Sequence, residues 1–268
     1  MSEKEDYVAV IPLANFDSDV NIISLGDDLC LRRIDKSEIE KLVKLAPGYE
    51  TTLKDALLDI EFVVEKRVAK RVDFIKWTEK SKNVVNIILA LRLLKPGELF
   101  VPTVFFISKR KSCTVTNTVP VANALPEYFF LKQREIVEFV ELWKKLKQLE
   151  NEKPYLIFAL KPLSEPFYIP EEQLANYMMA FESLVFGRGK GTPRPYGRTI
   201  GIAISMLLGK SEEERAKIEK DLVEAYELRN RIVHGHLKMS KNNEKRMRKL
   251  FDRVEDYLRR SLRKFVEE

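Results

Sequence analysis

The amino-acid sequence predicts an α+β domain over residues 1–160 followed by an all-α four-helix bundle over residues 165–268. Three observations lead there. A chain of 268 residues suits two domains of roughly 100–200 residues each. Short β-leaning runs alternate with helical runs as far as about residue 160, and beyond it the strand signals stop. Two prolines in Lys161-Pro162-Leu163-Ser164-Glu165-Pro166 mark a linker at the change. With 45% hydrophobic and 33% charged residues, the chain has the apolar side chains that ordinary cores need.

In the first part, Tyr7–Leu13, Asn21–Ser24 and Cys30–Ile34 read as strands, separated by turn residues such as Asp17-Ser18-Asp19 and Gly26-Asp27-Asp28. Asp35 with Glu38 forms a capping-box pattern for a helix over about 36–45. Asn83–Leu94 reads as a buried helix stopped by Pro96-Gly97. Phe100–Ile107 and Ser112–Asn117 form a hairpin across Lys109-Arg110-Lys111. Arg134–Leu149 places Ile136, Phe139, Val140, Leu142, Trp143 and Leu146 at helical spacing.

The second part holds four helices. The first starts at Pro170, with Glu171 and Glu172 at its positive dipole end, and runs to about Phe186. The Gly/Pro-rich stretch Gly187–Gly197 breaks it, and the second covers Arg198–Leu208. Ser211 and Glu214 cap the third, over about 212–234. The fourth, over about 243–266, lines up Met247, Leu250, Phe251, Val254, Leu258, Leu262 and Phe265 on one stripe.

Composition narrows the function classes. Two separated cysteines, Cys30 and Cys113, do not make a secreted disulfide framework, and the mixed start MSEKEDYVAVIPL lacks signal-peptide order, so a cytoplasmic location is expected. The longest apolar stretch, Val84–Leu94, falls short of the ~20 residues of a membrane span, which argues against a membrane partner. Charge is uneven. Residues 229–268 hold 13 Lys and Arg against 6 Asp and Glu, a net of +7 in a chain of net +6. A second basic group, Arg188, Lys190, Arg194 and Arg198, has no acid within it. Such clusters suit a polyanion, with nucleic acid first, and equally a salt-bridged helix surface.

The third helix ends in Tyr226-Glu227-Leu228-Arg229-Asn230-Arg231-Ile232-Val233-His234-Gly235-His236. Asn230 and His234 lie four apart on one face, with Tyr226 one turn behind. Arg229 shares its face with Leu222, Ala225, Ile232 and Val233, an apolar stripe on which a guanidinium needs a carboxylate. Glu182, on the stripe of Ala175, Met178 and Val185, is the matching oddity, and an interhelical Glu182–Arg229 pair is expected. These groups could simply tie a bundle together, with His234 capping the helix. Against that, His234 and His236 are the only histidines in the chain, and histidine is the side chain that exchanges protons near neutrality. The run Gly187–Thr192 lacks phosphate-loop spacing and follows a helix. As a basic segment next to Tyr196, it reads better as an RNA contact, and nearly as well as an exposed interhelix loop. No metal or cofactor is expected, because no Cys, Asp or Glu near the histidines completes a ligand set.

The string at 226–235 resembles the Arg-x4-6-His motif of HEPN domains, especially the ApeA-like branch. The likeness extends through Ala180–Leu184, Met206–Gly209 and Ser211–Arg215. The second helix reads Gly201-Ile202-Ala203-Ile204-Ser205, however, where relatives would carry a basic residue. The resemblance implies a HEPN-type bundle that dimerises through the C-terminal helices. It further implies a metal-independent endoribonuclease that leaves a 2′,3′-cyclic phosphate, in a toxin or antiviral defence setting with a protein antitoxin or regulator. Arg229, Asn230 and His234 would be catalytic, Glu182, Tyr226 and His236 supporting, and Arg188, Lys190, Arg194, Arg198 and Arg231 RNA-binding. The alternative is a non-catalytic HEPN module that binds RNA or a partner protein.

Overall fold

Tyr7–Leu13 is apolar at nearly every position and becomes β1, a strand buried along its length in the middle of a sheet. The computed structural model describes residues 7–26, 28–46, 48, 50–68, 82–108, 113–116, 128–149, 153–164, 170–187, 196–235 and 241–268. These fall into two compact units, one of residues 1–88 with 96–141, the other of residues 89–95 with 142–268.

In the first unit, β1 lies between β5 (Phe62–Val68) and β6 (Val104–Ser108), antiparallel to both. Outward from β5 come β4 (Leu29–Arg33) and β3 (Ile22–Gly26), and β7 (Cys113–Thr116) pairs with β6. The strand order is therefore β3-β4-β5-β1-β6-β7. The edge strand β3 alternates exposed and buried residues, as a strand with one wet face should. Phe16–Ser18 (β2) pairs in parallel with Phe129–Leu131 (β8), and Phe16 stacks on Phe129 at 5.8 Å between ring centroids. Helices α1 (Lys36–Lys44) and α2 (Glu50–Ala56) supply Leu42 and Leu53 to a core with Val10, Val63 and Phe105 of the sheet. Asp35 caps α1, its carboxylate accepting from the Glu38 amide at 2.8 Å. Arg32 ties the helix to the sheet by reaching both Glu38, at 3.0 Å, and Glu65, at 2.7 Å.

The second unit is wholly helical among its described residues. It takes the end of α3 (Lys82–Leu94) and most of α4 (Ile136–Leu149), then α5 (Pro154–Ser164), α6 (Pro170–Phe186), α7 (Tyr196–Leu208), α8 (Glu212–Val233) and α9 (Lys241–Glu267). Residues 161–164, expected in a linker, are the last turn of α5 despite Pro162. Leu156, Ala159, Leu160 and Leu163 are buried, and that apolar face outweighs the one backbone bond a proline forfeits. The helical unit thus starts well before the expected residue 165. Lys145 Nζ donates to the Glu267 carbonyl at 2.8 Å, which joins α4 to the end of α9.

Two polar groups are built into this bundle. On α8, buried Asp221 accepts two bonds from Arg253, at 2.7 and 2.9 Å, and one from the Tyr257 hydroxyl at 3.0 Å. Elsewhere, the buried Tyr177 hydroxyl donates to Glu255 at 2.9 Å, and Glu255 also faces Arg92 at 3.6 Å and Arg259 at 3.8 Å. Burial first, and then the neighbouring carboxylate, holds the phenols of Tyr177 and Tyr257 above their ordinary value. A phenol raised in the folded state contributes stability below its unfolded pKa, about 10, and loses that contribution as pH rises beyond it. Alkaline titration should therefore show phenolate absorbance for these two tyrosines appearing together with unfolding. Phenolate absorbance from all nine tyrosines while the helical signal is intact would contradict their burial. No helix among the described residues is long and apolar enough to cross a membrane.

Candidate functional site

Ser211 caps α8, accepting from the Glu214 amide at 3.2 Å, and the next 22 residues run as one helix to Val233. The core stripe of α8 is Ile218, Leu222, Ala225 and Leu228, with Asp221 beside it. That register corrects the expected stripe at its C-terminal end. Leu228 takes the core position, Ile232 is half-buried, and Val233 is 56% exposed. The cause is that the helix outruns the bundle in its last turn.

Arg229 is half-buried beside Leu228 and is held from two sides. Its guanidinium carbon lies 5.7 Å from the centroid of the Tyr226 ring, one turn back, and Nη1 donates to Asn230 Oδ1 at 3.1 Å. The Nε–H is buried and meets no acceptor among the described residues. The ion pair expected between Glu182 and Arg229 does not form among the described residues. Arg229 is taken up instead by the Tyr226 ring and the Asn230 side chain. Burial, then the charge of Glu182 on α6, raises the Tyr226 phenol above its ordinary value, while Arg229 opposes the rise.

Gly197, the second residue of α7, lets that ring in. A Cβ there would stand 3.0 Å from three atoms of Tyr226. Immediately before it, Tyr196 meets Phe186 at the end of α6 edge-on, with centroids 5.7 Å apart and an interplanar angle of 61°. Phe186 and Gly197 escaped the sequence reading. Their only signal is the Tyr196-Gly197 step at the start of a helix, which marks a close backbone approach.

His234 is the C-terminal cap of α8 and is exposed. Its backbone amide donates to the Asn230 carbonyl at 3.0 Å, and Gly235 follows with φ of +69°, the left-handed turn that closes a helix. Asn230 therefore touches the site twice, holding Arg229 with its side chain and His234 with its carbonyl. Arg231 is exposed, and Arg198 is exposed with a 3.9 Å ion pair to Glu219. Arg188, Lys190, Arg194 and His236 lie outside the described residues. Among the described residues no group of three His, Cys, Asp or Glu side chains could hold a metal ion.

In chemical terms, the last turns of α8 carry a planar cation and, at the C-terminal cap, an exposed imidazole. Guanidinium binds phosphate oxygens through two parallel bonds, and imidazole moves protons near neutral pH. Compared with known protein families, curated proteins and solved structures, the chain matches none.

Proposed function

We propose that the protein is a HEPN-type, metal-independent endoribonuclease. The observation that carries this reading is the state of Arg229. A tyrosine ring and an asparagine hold its guanidinium at the end of α8, where the neighbouring Arg231 and His234 are exposed. A guanidinium held in this way suits phosphate oxygens.

In this reading the 2′-OH of an RNA nucleotide attacks its own 3′-phosphate and expels the 5′-oxygen of the next nucleotide. The products are a 2′,3′-cyclic phosphate and a 5′-OH. His234 takes the proton from the 2′-OH as general base or gives one to the leaving oxygen as general acid. Arg229 stabilises the charge that builds on the phosphate oxygens, and Asn230 keeps it aimed. A second copy of the chain, related by a two-fold axis through the C-terminal helices, would set two such ends around one cleft and complete the acid–base pair. A toxin or defence role, with a protein antitoxin or regulator, extends the same reading from the resemblance of residues 226–235.

The test is incubation of the purified protein with a mixed RNA pool in excess chelator. Cleavage in the chelator, at the rate seen without it, is the expected result. Activity that disappears with chelator and returns with a divalent ion overturns the proton-transfer mechanism. Binding with no cleavage under any condition would instead support the non-catalytic RNA-binding module.

A further inference from the structure

The surplus positive charge of residues 229–268 is confined to one end of the hairpin that α8 and α9 form. Residues 229–249 hold 8 Lys and Arg against 1 acid, Glu244, whereas residues 250–268 hold 5 against 5. In that second stretch every cation has an acceptor. Arg253 meets Asp221 at 2.7 Å, Arg259 meets Asp256 at 2.6 Å, Arg260 meets Glu214 at 3.2 Å and Arg263 meets Glu267 at 2.8 Å. Lys264 Nζ donates to the Leu207 carbonyl at 2.7 Å. This part of α9 is a salt-bridged helix surface, one of the two roles its composition allowed.

The other end is built differently. The pairs Glu214–Arg260 and Asp221–Arg253 fix an antiparallel register between α8 and α9. The same register sets Lys249 opposite Ala225, a residue with no charge to offer. Arg231 lies roughly 9 Å beyond Ala225 along α8 and three residues before His234, on an adjoining face. Arg231 and Lys249 are both exposed, and neither has an ion pair among the described residues.

Two costs set this end apart from an ordinary solvated surface. The first 9 residues of α9 carry 5 cations and 1 acid, where the helix dipole favours acids. Glu224 and Glu227 precede the basic stretch on α8, and residues 224–249 still keep a surplus of 5 positive charges. Like charges therefore repel within and between the two helices. A strand of phosphates laid across that end offsets both costs, and the counterions it releases favour binding.

We propose that the turn end of the α8–α9 hairpin is the track for the RNA backbone, with Arg231 and Lys249 holding phosphates next to the one at Arg229 and His234. The proposal rests on the ribonuclease reading, which sets the scissile phosphate at Arg229. Phosphate contacts position a strand and carry no sequence information, so this surface serves single-stranded RNA of any sequence.

The test measures the affinity of the full chain for a short single-stranded RNA with methylated 2′-hydroxyls, which lacks the attacking group, over a range of salt concentrations. The logarithm of the binding constant should fall linearly with that of the salt concentration. Lys249→Ala and Arg231→Ala should each make the slope shallower by about 0.7, and the double variant by about 1.4. Lys264→Ala removes an exposed cation from the far end of α9 and should leave the slope as it is. A wild-type slope in the double variant, an equal loss in Lys264→Ala, or no binding by wild type overturns the proposal. Should Arg231→Ala fail to fold, Lys249→Ala decides alone. Slopes that change as expected, beside an unmethylated RNA that stays intact, uphold the surface while the ribonuclease reading fails. Cleavage of the unmethylated RNA with unchanged slopes does the reverse.

Discussion

Arg253→Ala should destabilise the helical unit by about 3–5 kcal/mol, more than Asp221→Ala, although the two residues form one ion pair. The asymmetry follows from burial. The Asp221 side chain is 9% exposed and the Arg253 side chain 37%. Removing the arginine strands a carboxylate inside the bundle with, among the described residues, only the Tyr257 hydroxyl as a donor. Removing the aspartate leaves Arg253 free to turn to water, and the main loss is the acceptor for Tyr257, about 1–3 kcal/mol. Chemical denaturation of the two variants checks this. Equal costs, or a larger cost for Asp221→Ala, would mean that the carboxylate is solvated and the pair is a surface interaction.

Arg229→Ala is expected to lower RNA cleavage by roughly 10²–10³-fold, the loss typical of removing one preorganised donor from a transition state. Its cost in stability should stay near 1 kcal/mol, because what disappears is a ring contact and one hydrogen bond at the helix end. Arg229→Lys should not restore the rate. An ammonium is a point charge without the planar fork that spans two phosphate oxygens. Cleavage gels beside thermal melts separate the two effects, and a variant that melts like wild type and cuts at the wild-type rate removes Arg229 from the mechanism.

Local signals served well where one residue type dictates geometry. Asp35 and Ser211 cap the helices their spacing indicated, and Pro170 opens α6. The hairpin of β6 and β7 forms where its two runs were read. Strand β5 was harder to see, since Phe62, Val63 and Val64 are followed by Glu65, Lys66 and Arg67 and no clean alternation results. Its partners on both sides supply what its own sequence does not advertise. The short pair of β2 and β8 joins residues more than a hundred positions apart, a contact that no local pattern encodes. At the site, helical spacing placed Tyr226, Arg229 and Asn230 on adjoining faces, but the partner of Glu182 was misjudged. The glycine at 197 admits the Tyr226 ring, and Arg229 lies against that ring and Asn230.

The most direct measurement concerns the ends of the RNA products made by wild-type protein and by His234→Ala. His234 is exposed at the end of α8, so its loss should cost on the order of 1 kcal/mol or less. With wild type, every cleaved fragment should carry a 2′,3′-cyclic phosphate or its hydrolysis product at one end and a 5′-OH at the other. The His234→Ala protein, folded and still binding RNA, should produce none. Fragments with 5′-phosphate ends, or cyclic-phosphate ends made at an undiminished rate without His234, would contradict the assignment.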